Sequence, residues 1–575
     1  MHKPLSRLLP YTFVAIFLWG VIYFTWPVFD KFPALPPPPH DPLRQHGYFP
    51  PHGVSRKWGP RADAVRRAFV HAYTGYQEYA GQNDELKPVT DSAANNFNGW
   101  KLTLVDALDT MWIMDLQKEF YEAVTEAAEL DFDLDEVRPS PWHESRRRRP
   151  CGTFAPFFET VIRYLGGLLS AYALSGEPVL LGRADDLGAM LLPAMKTDTG
   201  FPMYAVNTKT GATREGWTRG IVLWAEALSC QLEYKYLAHL TGRKEYFERV
   251  EHIVNIMSDA NVTDGMFPTK WSLKKGIPSN SQFSVGAFAD SAHEYLLKQW
   301  LLTSKSEPKA LDLYIRASTS IIENLLYLTP TRQLLYVTDV TNGKPSHNFE
   351  HLSCFLPGLL ALGARTLGPA LSPRVRDLHA WAAQGLAHTC WMTYADHETG
   401  LGPDVMRMDH IMKSEDNPYG GLWLYQVEKW EEAGKPGGVP PGLKEGPTMP
   451  DGKRDYRTQR SGYFLRPETV ESFYLLWRTT GDEVWRERGW AVFQAIEREA
   501  KTKSGYASLQ SVEKSPAPLK DEMPSFFLAE TLKYLYLLFT DEELIPLDRW
   551  VFNTEAHPLP VFQWTDWEKK AYGLI

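Results

Sequence analysis

Cysteine is scarce in this chain: four residues in 575, at Cys151, Cys230, Cys354 and Cys390. That is too few for a disulfide scaffold, although one or two bridges stay open and spacing alone does not pair them. No basic tract is long enough to track a phosphate backbone, and 61 basic against 70 acidic side chains leaves −9. Nucleic acid is therefore excluded as the expected partner. Strand-like alternation is rare, with "LLYVTDV" at 334–340 the clearest instance. What the chain does have is apolar bulk: 44% hydrophobic residues, 13% aromatic, and 20 Trp. Such a composition buries a large core and rules out a disordered protein.

Charge is also missing from one continuous stretch, "LLPYTFVAIFLWGVIYFTWPVF", from Leu8 to Phe29. As a helix it would span about 30 Å, the thickness of a hydrocarbon layer. Lys3 and Arg7 precede it and favour a cytosolic N-terminus. The run is long and bulky and no small-x-small cleavage site follows, which argues for a retained anchor over a cleaved signal peptide. "PALPPPPHDP" then cannot continue a helix and reads as a stiff stalk. The expected layout is a cytosolic tail at 1–7, a transmembrane signal anchor at 8–29, a Pro-rich stalk at 30–59 and a lumenal domain at 60–575. Such a layout would make it a single-pass type II membrane protein of the secretory pathway, in the Golgi or ER. "NVT" at Asn261 is its only N-glycosylation sequon and suits that compartment.

From about residue 60 onward the apolar spacing is helical. "RADAVRRAFVHAYTGYQEYA" lines up Val65, Phe69, Tyr73 and Tyr76, and "SFFLAETLKYLYLLF" repeats the period more densely. Ser175-Gly176-Glu177, Thr241-Gly242-Arg243 and Thr480-Gly481-Asp482 each separate two apolar runs, with Gly placed to end one helix before the next opens. The expectation is an all-α domain of stacked helix hairpins. A Gly/Pro-rich stretch near 431–458 reads as a surface excursion.

Acidic residues fall in places where an ordinary core has none. Glu159 sits among Phe157, Phe158, Val161, Ile162 and Leu165; taken alone, it would be half of a surface pair with Arg163 at i+4. Glu468 and Glu471 are one turn apart beside Arg466, and Pro467 suits the first turn there. Asp290 falls where a helix should begin, so capping competes with chemistry. Glu226 and Glu530 lie inside apolar helical runs, where a carboxyl must be paired, protonated or bound to something. Several such acids aimed at one interior predict a site.

The blocks "LVDALDTMWIM", "FFETVIRYLGGLLSAY", "ADSAHEYLLKQW", "HLSCFLPG", "LRPETVES", "FFLAETLKYLYLLF" and "FNTEAHPLP" occur in this order. In that order they resemble the class I α-mannosidases, glycoside hydrolase family 47. The resemblance implies an (α/α)7 barrel, removal of α1,2-linked mannose from high-mannose N-glycans in the ER or Golgi with inversion, and a need for Ca²⁺. Carried over by position, it implies Glu159 as general acid and Asp290 and Glu468 as the two carboxylates from which the base is drawn. Inversion by two carboxyls needs about 6.5–9.5 Å between them to admit a water. Arg163, Glu226, His351, Arg466, Glu471, Phe526, Glu530 and Glu555 match residues around the terminal sugar, and Phe288 falls at a further substrate-binding position. Thr554 matches the residue that gives calcium its hydroxyl and carbonyl oxygens. Calcium takes six to eight oxygens, so the remaining places fall to water and sugar hydroxyls. Cys354 and Cys390 match the family's disulfide.

Two departures carry expectations of their own. This chain reads "ADSAHEYLLKQW" where members commonly read "GDSFYEYLLKQW", and Phe288 stands where the ER-type enzyme has Arg. A phenyl ring cannot make a guanidinium's hydrogen bonds, so broader, Golgi-like trimming is expected. The competing reading is a mannose-glycan-binding factor of ER-associated degradation, with little or no turnover. The intact "FNTEAHPLP" and the Cys354/Cys390 pair speak for the hydrolase, and Asp-rich motifs that would suggest a terpene cyclase are missing.

Overall fold

The computed structural model describes residues 57–134, 153–444 and 454–574. The expected anchor at 8–29, nearly all of the stalk, and Cys151 lie outside the described residues. Within them, no helix is long and apolar enough to cross a membrane.

Apart from further helices such as Trp423–Glu432 and Asp566–Tyr572, the helices come largely in sequence-adjacent packed pairs. They are α1 (Gly59–Ala80), α2 (Leu108–Ile113) with α3 (Gln117–Ala128), α4 (Gly166–Ser175) with α5 (Pro178–Leu191), α6 (Gln231–Thr241) with α7 (Lys244–Asp259), and α8 (Asp290–Leu302) with α9 (Pro308–Asn324). The order continues with α10 (Leu356–Thr366) and α11 (Pro373–Ala395), α12 (Glu468–Thr480) and α13 (Val484–Glu499), and α14 (Leu532–Phe539). The last of these packs against α1, so the first and last helices of the series meet. Among the described residues this makes seven packed pairs.

The two members of a pair differ in what they bury. All eight residues of α14 are buried, and in α8 every residue from Ser291 to Leu302 is. Its neighbour type is seen in α7, "KEYFERVEHIVNIMSD", which buries one stripe, Tyr246, Phe247, Val250, Ile253, Val254 and Met257, at helical spacing. Fully buried helices need neighbours on every side, and they find them in each other. Contacts run α2 to α4, α4 to α6, α6 to α8, α10 to α12 and α12 to α14, with the turn His351–Phe355 between α8 and α10.

The expected glycine hairpins are present. Gly176, Gly242 and Gly481 have φ of 75°, 68° and 75°, and each N–H caps the helix before it, on Tyr172, Ala238 and Trp477. Only glycine takes that left-handed position without a side-chain clash. "LLYVTDV" does contain a strand, Leu335–Val337, paired with Leu326–Leu328. Several further two- to five-residue antiparallel ladders join the helices; they are too short for sequence alternation to reveal. In the Gly/Pro-rich stretch, Trp423 donates its indole N–H to the Pro441 carbonyl, which pins part of it down, and Tyr456 begins a strand paired with Val405–Met408. Asn261 is exposed after α7.

A terminal hairpin, Trp550–Phe552 with Pro558–Pro560, inserts among the buried helices, one strand against α8 and the other against α4. Two glycines let it come close: a Cβ on Gly166 would sit 2.6 Å from the Asn553 amide, and one on Gly167 would sit 3.4 Å from the His557 ring. Cys354 and Cys390 form a disulfide, joining the His351–Phe355 turn to α11, and Cys230 is a buried free thiol.

Candidate active site

Two helical turns in the core are wider than an α-helix allows, and both carry site residues. Thr160–Leu165, leading into α4, and Phe527–Thr531, leading into α14, are π-helical. A widened turn leaves carbonyls without a helical donor and swings neighbouring side chains round. Side chains take up the slack: Asn553 donates to the Ile162 carbonyl at 2.9 Å and Thr110 to that of Ala529 at 3.3 Å.

Between these turns, the starts of α8 and α12 and the terminal hairpin lies a cavity of about 210 Å³. Glu159, Arg163, Asp290, Arg466, Glu468, Glu471, Phe526, Glu530, Thr554 and Glu555 all line it. Residues nearly four hundred positions apart thus share one chamber. Three others expected at the site stand back from it. His351 lies behind Glu468, Glu226 lies near Glu159, and Phe288, two residues before Asp290, packs against the ring of Trp217. A larger cavity, of about 370 Å³, opens at the opposite ends of α8, α10 and α12, among Lys305, Arg365, Arg478, Glu543 and Asp548. None of the expected site residues faces it.

The acids differ in exposure and in partners. Glu159 keeps 32% of its side chain exposed, against 7% for Glu555 and 9% for Glu471, so it sits nearest the mouth. Arg163 ties mouth to floor, with Nε 2.8 Å from Glu159 and Nη1 2.9 Å from Glu555, between the rings of Phe97 and Phe526. The anticipated i, i+4 pair therefore exists, turned inward. Asp290 is the first residue of α8, where Ala289 holds the cap position. Its carboxylate accepts the N–H of Ser291 at 2.9 Å.

Ionisation follows from these surroundings. Burial, aided by Glu294, Glu468 and Glu350, pushes Asp290 up to about 7 against the Ser291 N–H. Glu468 is the exception. Burial raises it too, but the hydrogen bond from His351 Nδ1 at 3.0 Å and the Arg466 guanidinium at 3.5 Å outweigh that and hold its carboxyl below its ordinary value. His351 Nε2 faces the Tyr394 hydroxyl at 2.5 Å, which leaves Nδ1 as the donor. Burial and Glu294 lift Glu471 to about 8 against Lys298, and burial lifts Glu555 to about 8 against Arg163. Burial, and then Glu555, raise Glu530 well above its ordinary value. Glu226 rises to about 7 through burial.

The turn bearing Thr554 and Glu555 is held from behind. Asn553 uses its whole amide: Nδ2 donates to Ile162 and Glu233, and Oδ1 accepts from the backbone of Glu555 and His557. The imidazole of His557 points away from the cavity, bonding Asp109 at 2.9 Å and Asp106 at 3.1 Å. Despite full burial, those two carboxylates raise it to about 9. Lys533 donates to Asp109 and to the carbonyl of Ala556, whose φ is 56°.

The sequence reading missed this support, although Asp106 and Asp109 sit in a block it had singled out. It also missed Glu294, which lines the cavity, accepts the Thr554 hydroxyl at 3.1 Å and pairs with Lys298. Its spacing of four from Asp290 was the available signal. Among the described residues no group of three His, Cys, Asp or Glu side chains is arranged to hold a metal ion.

Comparison with known proteins agrees with this geometry. The family described as Glycosyl hydrolase family 47 matches residues 68–561. The rat endoplasmic reticulum mannosyl-oligosaccharide 1,2-alpha-mannosidase is 38% identical over 87% of this chain and 68% of its own. Its human counterpart is 38% identical over 92% and 67%, and the Drosophila melanogaster mannosyl-oligosaccharide alpha-1,2-mannosidase IA is 34% identical over 87% and 67%. The solved alpha-1,2-mannosidase from Trichoderma reesei superposes with a TM-score of 0.72 at 27% identity, covering 87% of this chain and 99% of that one. The chain belongs to glycosyl hydrolase family 47.

Proposed function

We propose that this protein is an inverting, calcium-dependent exo-α1,2-mannosidase that trims terminal mannose from high-mannose N-glycans of glycoproteins in the secretory pathway. The single observation that carries the reading is the shared cavity: acids from α8, α12 and the segments leading into α4 and α14 meet Thr554 in one chamber. The seven helix pairs are read as an (α/α)7 barrel whose inner helices surround that chamber. Relatives named for this activity supply the linkage and the substrate class.

Around such a ring α4 and α12 are three helices apart one way and four the other, so Glu159 and Glu468 approach a bound sugar from opposite sides. That is the layout of an inverting pair. Glu159, nearest the mouth, protonates the oxygen of the departing glycan. Glu468, held ionised by His351 and Arg466, takes the proton of the attacking water. Asp290 retains a proton near neutrality and is read as a hydrogen-bond donor or second anchor for that water. Which of the two is the base was open in the sequence; their neighbours favour Glu468.

The chamber suits a hard cation, since seven carboxylates face it against two guanidiniums. Thr554 would hold calcium through its hydroxyl and carbonyl oxygens, with Glu294, Glu471, Glu530 and Glu555 placed to hold its waters. When bound, the ion orients sugar hydroxyls and stabilises developing charge. A single-pass type II protein of the Golgi or ER membrane, with its domain from residue 60 lumenal and Asn261 glycosylated, accords with the uncharged run at 8–29, the exposure of Asn261 and the disulfide.

Incubation with a nine-mannose N-glycan, with and without a chelator, tests the reading. Calcium-dependent release of mannose is the expected result. Tight binding without release would replace it with the glycan-binding factor, and release of one mannose only would overturn the broad trimming expected from Phe288.

A further inference from the structure

The larger cavity, of about 370 Å³, takes no part in the chemistry described. Three helices run from the chamber toward it. α8 starts at Asp290 and is followed by Lys305, α10 ends at Arg365 and Thr366, and α12 starts at Glu468 and carries Arg478 near its end. The segment after α14 adds Glu543 and Asp548. A void of about 10 Å³ shares Leu301, Leu362 and Leu547 with this cavity and Glu471 with the chamber. It has room for no more than a water, so the two larger spaces are separate binding volumes.

Lys305, Arg365 and Arg478 share this cavity with Glu543 and Asp548, yet among the described residues none of the five forms an ion pair. Lys305 donates to the Thr366 carbonyl at 3.0 Å and Arg478 to that of Glu542 at 2.9 Å. The Arg478 Nε is buried without an acceptor, and the side chain of Arg365 has no hydrogen-bond partner among the described residues. Ser304 and Lys305, with φ of 53° and 65°, are the one adjacent pair of non-glycine residues in the left-handed region among the described residues. Strain of that kind persists where the surroundings impose it.

Separated charges of both signs select the ligand. An anion would meet two carboxylates, and a cation would meet three positive groups. A neutral ligand rich in hydroxyls suits both, because guanidinium and ammonium donate to hydroxyl oxygens while carboxylates accept hydroxyl protons. Leu301, Leu362, Leu547 and Val561 supply an apolar wall for the C–H face of a pyranose, and the volume falls within the roughly 300–1,000 Å³ of small-molecule sites. We propose that this cavity is a second, non-catalytic carbohydrate site that takes a mannose unit of a glycan at the end of the domain opposite the chamber. The assignment stands on the chemistry of the cavity and not on the hydrolase reading. With that reading, a glycoprotein bearing several glycans is held by one while another is trimmed.

Hydrogen exchange of the full chain carrying E468Q, with and without a nine-mannose N-glycan, tests the site directly. Slower exchange is expected at 301–306 and 541–549 as well as around the chamber. Arg365 and Asp548 are both exposed, so R365A and D548A should fold normally, which thermal melts check. Each should weaken glycan binding at the far cavity by about tenfold and abolish the slowing there, leaving that around the chamber. Losing one charge of either sign is the discriminating comparison, since an anion would bind D548A more tightly. Protection confined to the chamber, unchanged protection in both variants, or protection by inorganic phosphate that grows in D548A would overturn the site. With Glu468 intact, R365A and D548A should release mannose within about twofold of wild type, because neither lines the chamber. A wild type that never releases mannose but keeps the far protection defeats the hydrolase reading alone, and turnover without that protection defeats the second site alone.

Discussion

The starts of α8 and α12 are built alike and behave differently. Each opens with an acid and carries a second within a turn, Asp290 with Glu294 and Glu468 with Glu471, and each offers the same helix dipole to its first residue. Yet Asp290 is pushed up to about 7 while Glu468 is held low. The difference lies in what stands opposite. Asp290 faces other carboxylates, and Glu468 faces an imidazole and a guanidinium. Helix geometry delivers a carboxyl to the chamber; residues from elsewhere in the ring decide whether it carries a proton.

Substitution tests that contrast most severely. E468Q should lower kcat by roughly 10³-fold, because an ionised base is lost. D290N replaces a group that already holds a proton near neutrality and should cost about ten- to a hundredfold. Rate measurements with thermal melts as folding controls would decide it; the reverse order would show that the neighbours do not set the roles.

The pH dependence of stability gives a second, smaller effect. Asp290, Glu471 and Glu555 have folded pKa values of about 7, 8 and 8, above their ordinary values of 3.8 and 4.5. Between those limits the folded chain binds more protons than the unfolded one, so the chelated protein should lose stability as pH rises from 5.5 to 8. Glu468 acts in the opposite sense, but only on acidification below its ordinary 4.5. Melting temperatures with and without calcium would check this, and the ion should raise Tm more at pH 8 than at pH 5.5. A chelated protein that grows more stable over that range would contradict the burial argument.

The finest test touches the partner rather than the acid. H351F removes the hydrogen bond that keeps Glu468 ionised, and the acidic limb of the kcat/KM profile should move up by about one pH unit. An unmoved limb would mean that Arg466 alone holds it.

Much of this was readable from the sequence, and the failures share a cause. The helix hairpins were visible because glycine caps leave a local mark at Gly176, Gly242 and Gly481. The acids were visible because a carboxyl inside an apolar run is anomalous wherever it points. Glu294 and the pair Asp106/Asp109 were missed because their meaning lies in contacts with Thr554 and His557, hundreds of residues away. The π-helical turns at Thr160–Leu165 and Phe527–Thr531 were equally silent, since the insertion is paid for by Asn553 and Thr110 from other segments. Short ladders escaped because two or three residues cannot show a period.

The Cys354–Cys390 bond has a reach beyond holding two segments together. Cys354 lies three residues after His351 on a tight turn, and Tyr394 lies four after Cys390 on α11, so one sulfur anchors the imidazole that serves Glu468 and the other anchors the phenol bonded to it. Thiol reagents that open this bond would let the imidazole and the phenol drift apart long before the helical domain unfolded. Catalytic competence would then register the redox state of the compartment, being acquired where sulfur is oxidised and faltering where it is not.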